Sequence, residues 1–174
     1  GGDTNYIETN LFALAESKVW YEDVTVRAIF EGGAINSIGD SSTRVTERFF
    51  ARSKIRGFEP NGIGPRDLGS VNQDALGGNL FVAARFEADF PLGLPEEYGI
   101  TGGTFLDVGS VWSLEDTAGA GGPVDDSFIP RAAIGFSVFW DTPIGPLRFN
   151  FSHALKKEDY DEEQNFDFTI STQF

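Results

Sequence analysis

The sequence predicts an all-β fold, a transmembrane antiparallel β-barrel, and three observations carry that prediction. Apolar and polar residues alternate with period two over several segments of about ten residues, so one face can meet lipid and the other a lumen. The connections between these segments alternate short and long, as in bacterial outer-membrane barrels. Aromatic residues also gather at segment ends: Trp20, Phe90, Tyr98, Trp140 and Phe174 at the short-turn end, Trp112 and Phe128 at the other, as interfacial girdles require.

Composition agrees. The 174 residues suffice for one domain with a sizeable core. Twenty-seven acidic residues against 13 basic ones give a net charge of −14, which argues against a nucleic-acid partner. Without cysteine there is no disulfide or thiolate metal site. Methionine is absent too, and Gly1-Gly2-Asp3 reads as a cut or a loop rather than a signal sequence, so part of a longer chain is expected. No run approaches the roughly 18 apolar residues of a membrane helix, which leaves strands as the means of crossing. Seventeen Phe and 21 Gly suit a lipid-facing surface with tight turns.

Taken in order, the first strand is expected over Tyr6 to Ala15, with Ile7, Thr9, Leu11 and Ala13 opposite Glu8 and Asn10. Glu16-Ser17-Lys18 reads as a turn, after which Trp20, Val24, Val26, Ala28 and Phe30 share a face opposite Tyr21, Asp23, Thr25 and Arg27. The pattern then stops from Glu31 to about Gly78, a long inserted loop that needs a function to justify it. Alternation returns at Asn79 to Phe90, where Leu80, Val82, Ala84, Phe86, Ala88 and Phe90 oppose Arg85, Glu87 and Asp89. The charged face must point inward. A proline-rich connection, Pro91 to Tyr98, leads to Gly99–Trp112, with Thr104, Leu106, Val108 and Trp112 opposite Phe105, Asp107 and Gly109. After a polar loop, Ser113 to Asp126, a strand from Ile129 to Asp141 sets Ala132, Ile134, Phe136, Val138 and Trp140 against Ala133, Gly135 and Ser137. Thr142 to Pro146 turns the chain into Leu147–Leu155, and a charged connection from Lys156 to Glu163 precedes the last strand. There Phe166, Phe168, Ile170, Thr172 and Phe174 alternate with Asp167, Thr169, Ser171 and Gln173. The count is about seven strands, whereas single-chain bacterial barrels close with an even number. The first strand is therefore expected to pair with something outside this sequence.

The long loop holds the stretch around which the chain is organised, Ile55-Arg56-Gly57-Phe58 followed by Glu59-Pro60-Asn61-Gly62-Ile63-Gly64-Pro65. A glycine lets the backbone turn sharply next to an arginine, whose planar fork matches a carboxylate bidentately.

Together with Leu106-Asp107-Val108-Gly109-Ser110-Val111-Trp112, Ile144-Gly145-Pro146-Leu147-Arg148-Phe149 and a last strand ending in Phe174, this stretch resembles the C-terminal part of the BamA-type family of outer-membrane insertases. That family is related to TamA, to a mitochondrial sorting barrel and to the two-partner secretion transporters. The resemblance runs over nearly the whole sequence in the right order. It departs from the family in having Ile55 where Val is usual and in holding about seven strands of an expected sixteen. What it implies is a bacterial outer-membrane barrel whose long loop folds back into the lumen, bringing Arg56 onto Asp107 and Glu87. The alternation independently places both carboxylates on inward faces of strands adjoining in sequence. It further implies a terminal strand, with Phe166, Phe168, Ile170 and Phe174, that serves as recognition signal and as one side of a lateral gate. The expected partners are outer-membrane lipids, unfolded outer-membrane client proteins and accessory assembly lipoproteins. The expected role is non-enzymatic and without cofactor or metal: folding and inserting β-barrel proteins. A sibling translocation or secretion barrel and a passive structural barrel are the alternatives.

Other candidate sites are weaker. His153 sits among apolar residues of a strand and reads as structural. Glu158, Asp159, Asp161, Glu162 and Glu163 lack the spacing of a helix-loop-helix calcium site and read as a solvated outer hairpin.

Overall fold

A computed structural model describes residues 5–21, 23–39, 42–52, 54–143 and 145–170. Its strands are β1 (Tyr6–Val19), β2 (Val24–Ser37), β3 (Gly57–Phe58), β4 (Leu80–Pro91), β5 (Ile100–Trp112), β6 (Ala118–Gly119), β7 (Gly122–Pro123), β8 (Arg131–Thr142), β9 (Gly145–Lys156), β10 (Glu163–Gln164) and β11 (Phe166–Ile170). The seven long ones form a single antiparallel sheet in the order β1-β2-β4-β5-β8-β9-β11, each pairing with the next along the chain. The expected count of about seven wall strands is met. β1 and β11 are the sheet's two edges, so this portion of a barrel is open.

Registers fix the faces, because directly opposed residues point the same way. Arg27 pairs with Glu87 and Glu16, Arg85 with Asp107, Asp107 with Ala133, and Ser137 with Asn150. These residues form one face. Ala28 opposite Phe86, Phe86 opposite Leu106, Leu106 opposite Ile134, and Phe149 opposite Phe168 form the other, which is apolar. Within the described residues, period-two alternation thus places the faces of the long strands as the sequence predicts, except at Trp20, Tyr21 and Asp23, which lie in a turn.

Three boundaries differ. The first turn is not at Glu16-Ser17-Lys18, which pair with Arg27, Val26 and Thr25 inside the β1–β2 ladder. The chain turns at Trp20 and Tyr21 instead, both with φ near +55° and 80% and 94% exposed. Glu16 and Lys18 lie on the inward face of the strand and Ser17 on the outward one, so these polar residues do not mark a turn. Second, the long loop starts after Ser37 rather than at Glu31, since β2 continues through Gly32-Gly33. A side chain at Gly33 would collide with the Phe81 ring and come within 2.7 Å of Phe49. The glycine that hides the alternation is what admits the loop's aromatic. Third, the polar loop after β5 carries a small hairpin, β6–β7.

The core lies between the long loop and the inward face of the sheet. Ala51, Ile55, Phe58 and Ile63 from the loop pack on Phe81 and Ala83 of β4, Val111 of β5, Ala133 of β8 and Ala154 of β9. On the outward face Phe30, Phe86, Ile134, Phe151 and Phe168 remain exposed, while near one end Phe128 of the following loop stacks edge-on against Trp112. No helix of the described residues is long and apolar enough to cross a membrane.

Candidate functional site

The loop crosses the sheet's inward face with Ile55-Arg56-Gly57-Phe58 at its deepest point, and each residue of the four has its own reason to be there. Ile55 is buried over Gly109, where a Cβ would fall 2.5 Å from Cδ1 of Ile55. Gly57 has φ +92°, and a Cβ on it would lie 2.7 Å from that of Ala133, so neither its conformation nor its clearance admits a side chain. Phe58 is buried, and the Gly57–Phe58 strand pairs with Gln164 and Glu163 just ahead of β11.

Arg56 lies among the acids that the sequence reading named. Its Nε donates to Oδ2 of Asp107 at 2.7 Å and its Nη2 to Oδ1 at 2.6 Å, a bidentate fork. Its backbone N–H also donates to Oδ2 of Asp107, at 2.9 Å. Nη1 meets Oε1 of Glu87 at 2.7 Å. The guanidinium carbon stands 3.7 Å from the centre of the Phe105 ring, a cation–π geometry. Arg56 is 8% exposed and Asp107 0%. One cation thus lies between two carboxylates, stacked on an aromatic face and out of bulk water.

The surroundings extend this contact into a network. Arg148 of β9 reaches Glu87 at 3.3 Å and Asn150 at 2.9 Å, while Arg27 of β2 contacts Glu87 at 3.3 Å, Asp89 at 2.5 Å and Glu16 at 2.6 Å. Glu87 therefore joins three arginines. Nearer the outer end, Glu31 of β2 holds Lys54 of the loop at 2.8 Å and Arg85 of β4 at 2.6 Å.

Two further clamps have no signal in period-two alternation, because their partners come from loops distant in sequence. Arg131 at the start of β8 grips Asp161 with Nε at 2.8 Å and Nη2 at 2.9 Å, both side chains being almost fully buried. Arg66 meets Glu162 at 3.0 Å and donates to the carbonyls of Asn61 and Gln73. The acidic segment 158–163 thus departs from the solvated hairpin expected at Asp161, which is buried, while Asp159 and Glu162 stay exposed. Asp161 and Glu162 take part in these pairs, and Glu163 pairs with Lys157. In the loop after β5, burial works against the Glu115 carboxylate, but hydrogen bonds from Ser37 and from the Thr43 N–H, with Arg48 nearby, hold it below the usual range.

Phe166, Phe168 and Ile170 lie on the outward face of β11, opposite Phe151, Phe149 and Leu147 of β9. Phe174, named with them, lies outside the described residues. His153 also faces outward, opposite Ile134.

With this geometry in hand, the comparisons are specific. Residues 1–174 match the Omp85 superfamily domain. The chain is 30% identical over its full length to the outer membrane protein assembly factor BamA of Neorickettsia risticii, and that match covers 23% of the relative. It is 29% identical over 69% of its length to the protein of the same name from Neisseria meningitidis serogroup B, covering 17% of that protein. It is also 34% identical over 53% of its length to the human sorting and assembly machinery component 50 homolog. Among solved structures, its fold is similar to the crystal structure of BamA from Haemophilus ducreyi lacking POTRA domains 1-3, with a TM-score of 0.82 at 23% identity over 100% of this chain and 36% of that one. The chain therefore spans less than a quarter of the first of these relatives.

Proposed function

The chain belongs to the Omp85 superfamily, and from that premise we propose that it forms the C-terminal part of the barrel of an outer-membrane protein assembly factor, one that folds and inserts β-barrel proteins into the bacterial outer membrane. The observation that carries the reading is the buried fork of Arg56 on Asp107 and Glu87. A passive wall has no need to hold a loop inside itself with a desolvated cation, whereas a machine that must keep its lumen in one arrangement while its seam opens does. The relatives named as assembly factors support it.

The mechanism is strand addition. β11 is an edge of the sheet, preceded by a segment that the loop grips through the β3–β10 ladder. An edge offers unpaired backbone donors and acceptors, and a client strand supplies the complement, with alternate side chains setting register. Insertion at a lateral gate between the last strand and the barrel's first exchanges hydrogen bonds and forms no covalent bond, so the role is not enzymatic. Unfolded outer-membrane proteins are the clients, and accessory lipoproteins act as partners.

The test is reconstitution. The full-length protein in liposomes should accelerate folding of an unfolded barrel client, read as the heat-sensitive shift in gel mobility, and Arg56→Ala should slow it. Folding no faster than in protein-free liposomes would overturn the proposal. Client found translocated into the vesicle rather than inserted would assign the chain to the secretion branch.

A further inference from the structure

Over β9 and β11 the outward face of the sheet carries paired aromatic rings. Phe149 packs on Phe168 with ring centres 5.0 Å apart, and Phe151 on Phe166 at 5.2 Å. Over β1, β2, β4 and β5 the same face instead holds a hollow of about 600 Å³, a size typical of small-molecule sites. Its floor consists of short side chains brought into line by the registers: Ala15 opposite Ala28, and Ser17, Val26, Ala88 and Thr104 in one row across four strands. Phe86, Leu106 and Ile134, the adjoining row, form its rim.

The chemistry of the hollow excludes a polar ligand. Glu16, Arg27 and Glu87 also border the hollow, but alternation turns their side chains to the opposite face, where Arg27 pairs with both carboxylates. The hydroxyl of Thr104 donates to the carbonyl of Gly135 at 2.9 Å, which leaves its methyl group outward. An empty apolar hollow forfeits dispersion contacts along its whole lining, and hydrocarbon is what surrounds this face in a membrane.

We propose that this hollow is a lipid site that holds one acyl chain of a membrane lipid lengthwise across β1, β2, β4 and β5. The site depends on the outer-membrane location and not on insertion activity, so either idea can fail without the other. Its test uses the full-length protein in vesicles containing a phospholipid with a diazirine at mid-chain. After photolysis, adducts should concentrate on peptides carrying Ala28, Ala88 and Thr104 relative to those carrying Phe149 and Phe168. Ala88→Phe, which fills the hollow from its centre, should abolish the enrichment while the folded gel mobility stays unchanged, and Ala28→Leu serves if that variant does not fold. Equal labelling of the two regions in the unaltered protein, or enrichment that survives filling, would overturn the site. A polypeptide cross-linked there in place of lipid would overturn the occupant.

Discussion

Replacing Arg56 by alanine is the most informative perturbation, and the structure sets its size. Removing one partner of a buried ion pair costs about 3–5 kcal/mol when the other charge is left without compensation. Here the compensation is partial. Asp107 keeps the backbone N–H of residue 56, and Glu87 keeps Arg148 and Arg27. The loss should therefore fall near the lower end of that range, and Arg56→Lys should recover part of it, since an ammonium restores charge without the fork or the stacking plane. Asp107→Ala is expected to be worse than Arg56→Ala, because it takes the bidentate acceptor from the guanidinium, leaving it Glu87, and also takes the acceptor of the buried amide of residue 56. The assay is a double-mutant cycle over Arg56→Ala and Asp107→Ala, read by denaturant unfolding in detergent, with amide exchange over residues 54–66 reporting whether the loop has lifted. A coupling energy of about 2–3 kcal/mol is expected, at the top of the range for residues in contact. Additive effects, within about 0.5 kcal/mol, would refute the claim that this pair fastens the loop.

Three further outcomes follow from the same geometry. Gly57→Ala should destabilise by about 1–3 kcal/mol through its left-handed backbone alone; adding Ala133→Gly should relieve the 2.7 Å contact but not the strain, so thermal unfolding should recover only in part. Arg131→Leu should cost about 3–5 kcal/mol by leaving the Asp161 carboxylate buried with the Glu158 N–H as its hydrogen-bond donor, and faster proteolysis between residues 157 and 165 would report it. Glu115 is held below its ordinary range in the folded protein, so its contribution is present above the unfolded pKa and is lost as pH falls through the lower folded value. Exchange at the Thr43 amide should accelerate over that acidic window, and Glu115→Gln should remove the dependence.

How much of this was legible in the sequence divides along a physical line. Faces of strands were legible, because a two-residue period lets Arg85, Glu87 and Asp89 be separated from Phe86 and Ala88 without knowing what they touch. The meeting of Arg56 with Asp107 and Glu87 came from the family resemblance, and alternation could add only that both acids point inward. The Arg131–Asp161 and Arg66–Glu162 pairs were not legible: their partners lie 30 and 96 residues apart and meet only through the path of the loops. The first turn was misplaced for a related reason. In a soluble sheet, Glu16-Ser17-Lys18 would mark exposure, whereas in a wall with a charged interior it belongs to the last rungs of a strand, and Trp20 and Tyr21 make the turn where a bilayer boundary favours aromatics.

The packing of Ile55, Phe58 and Ile63 against Phe81, Val111 and Ala133 also bears on permeability. A hydrated ion following this side of the lumen would meet a packed apolar contact and then a guanidinium already paired with two carboxylates, neither of which lowers its barrier. Conduction along this wall therefore requires the loop to lift, and brief current steps across a planar bilayer would time that event one molecule at a time.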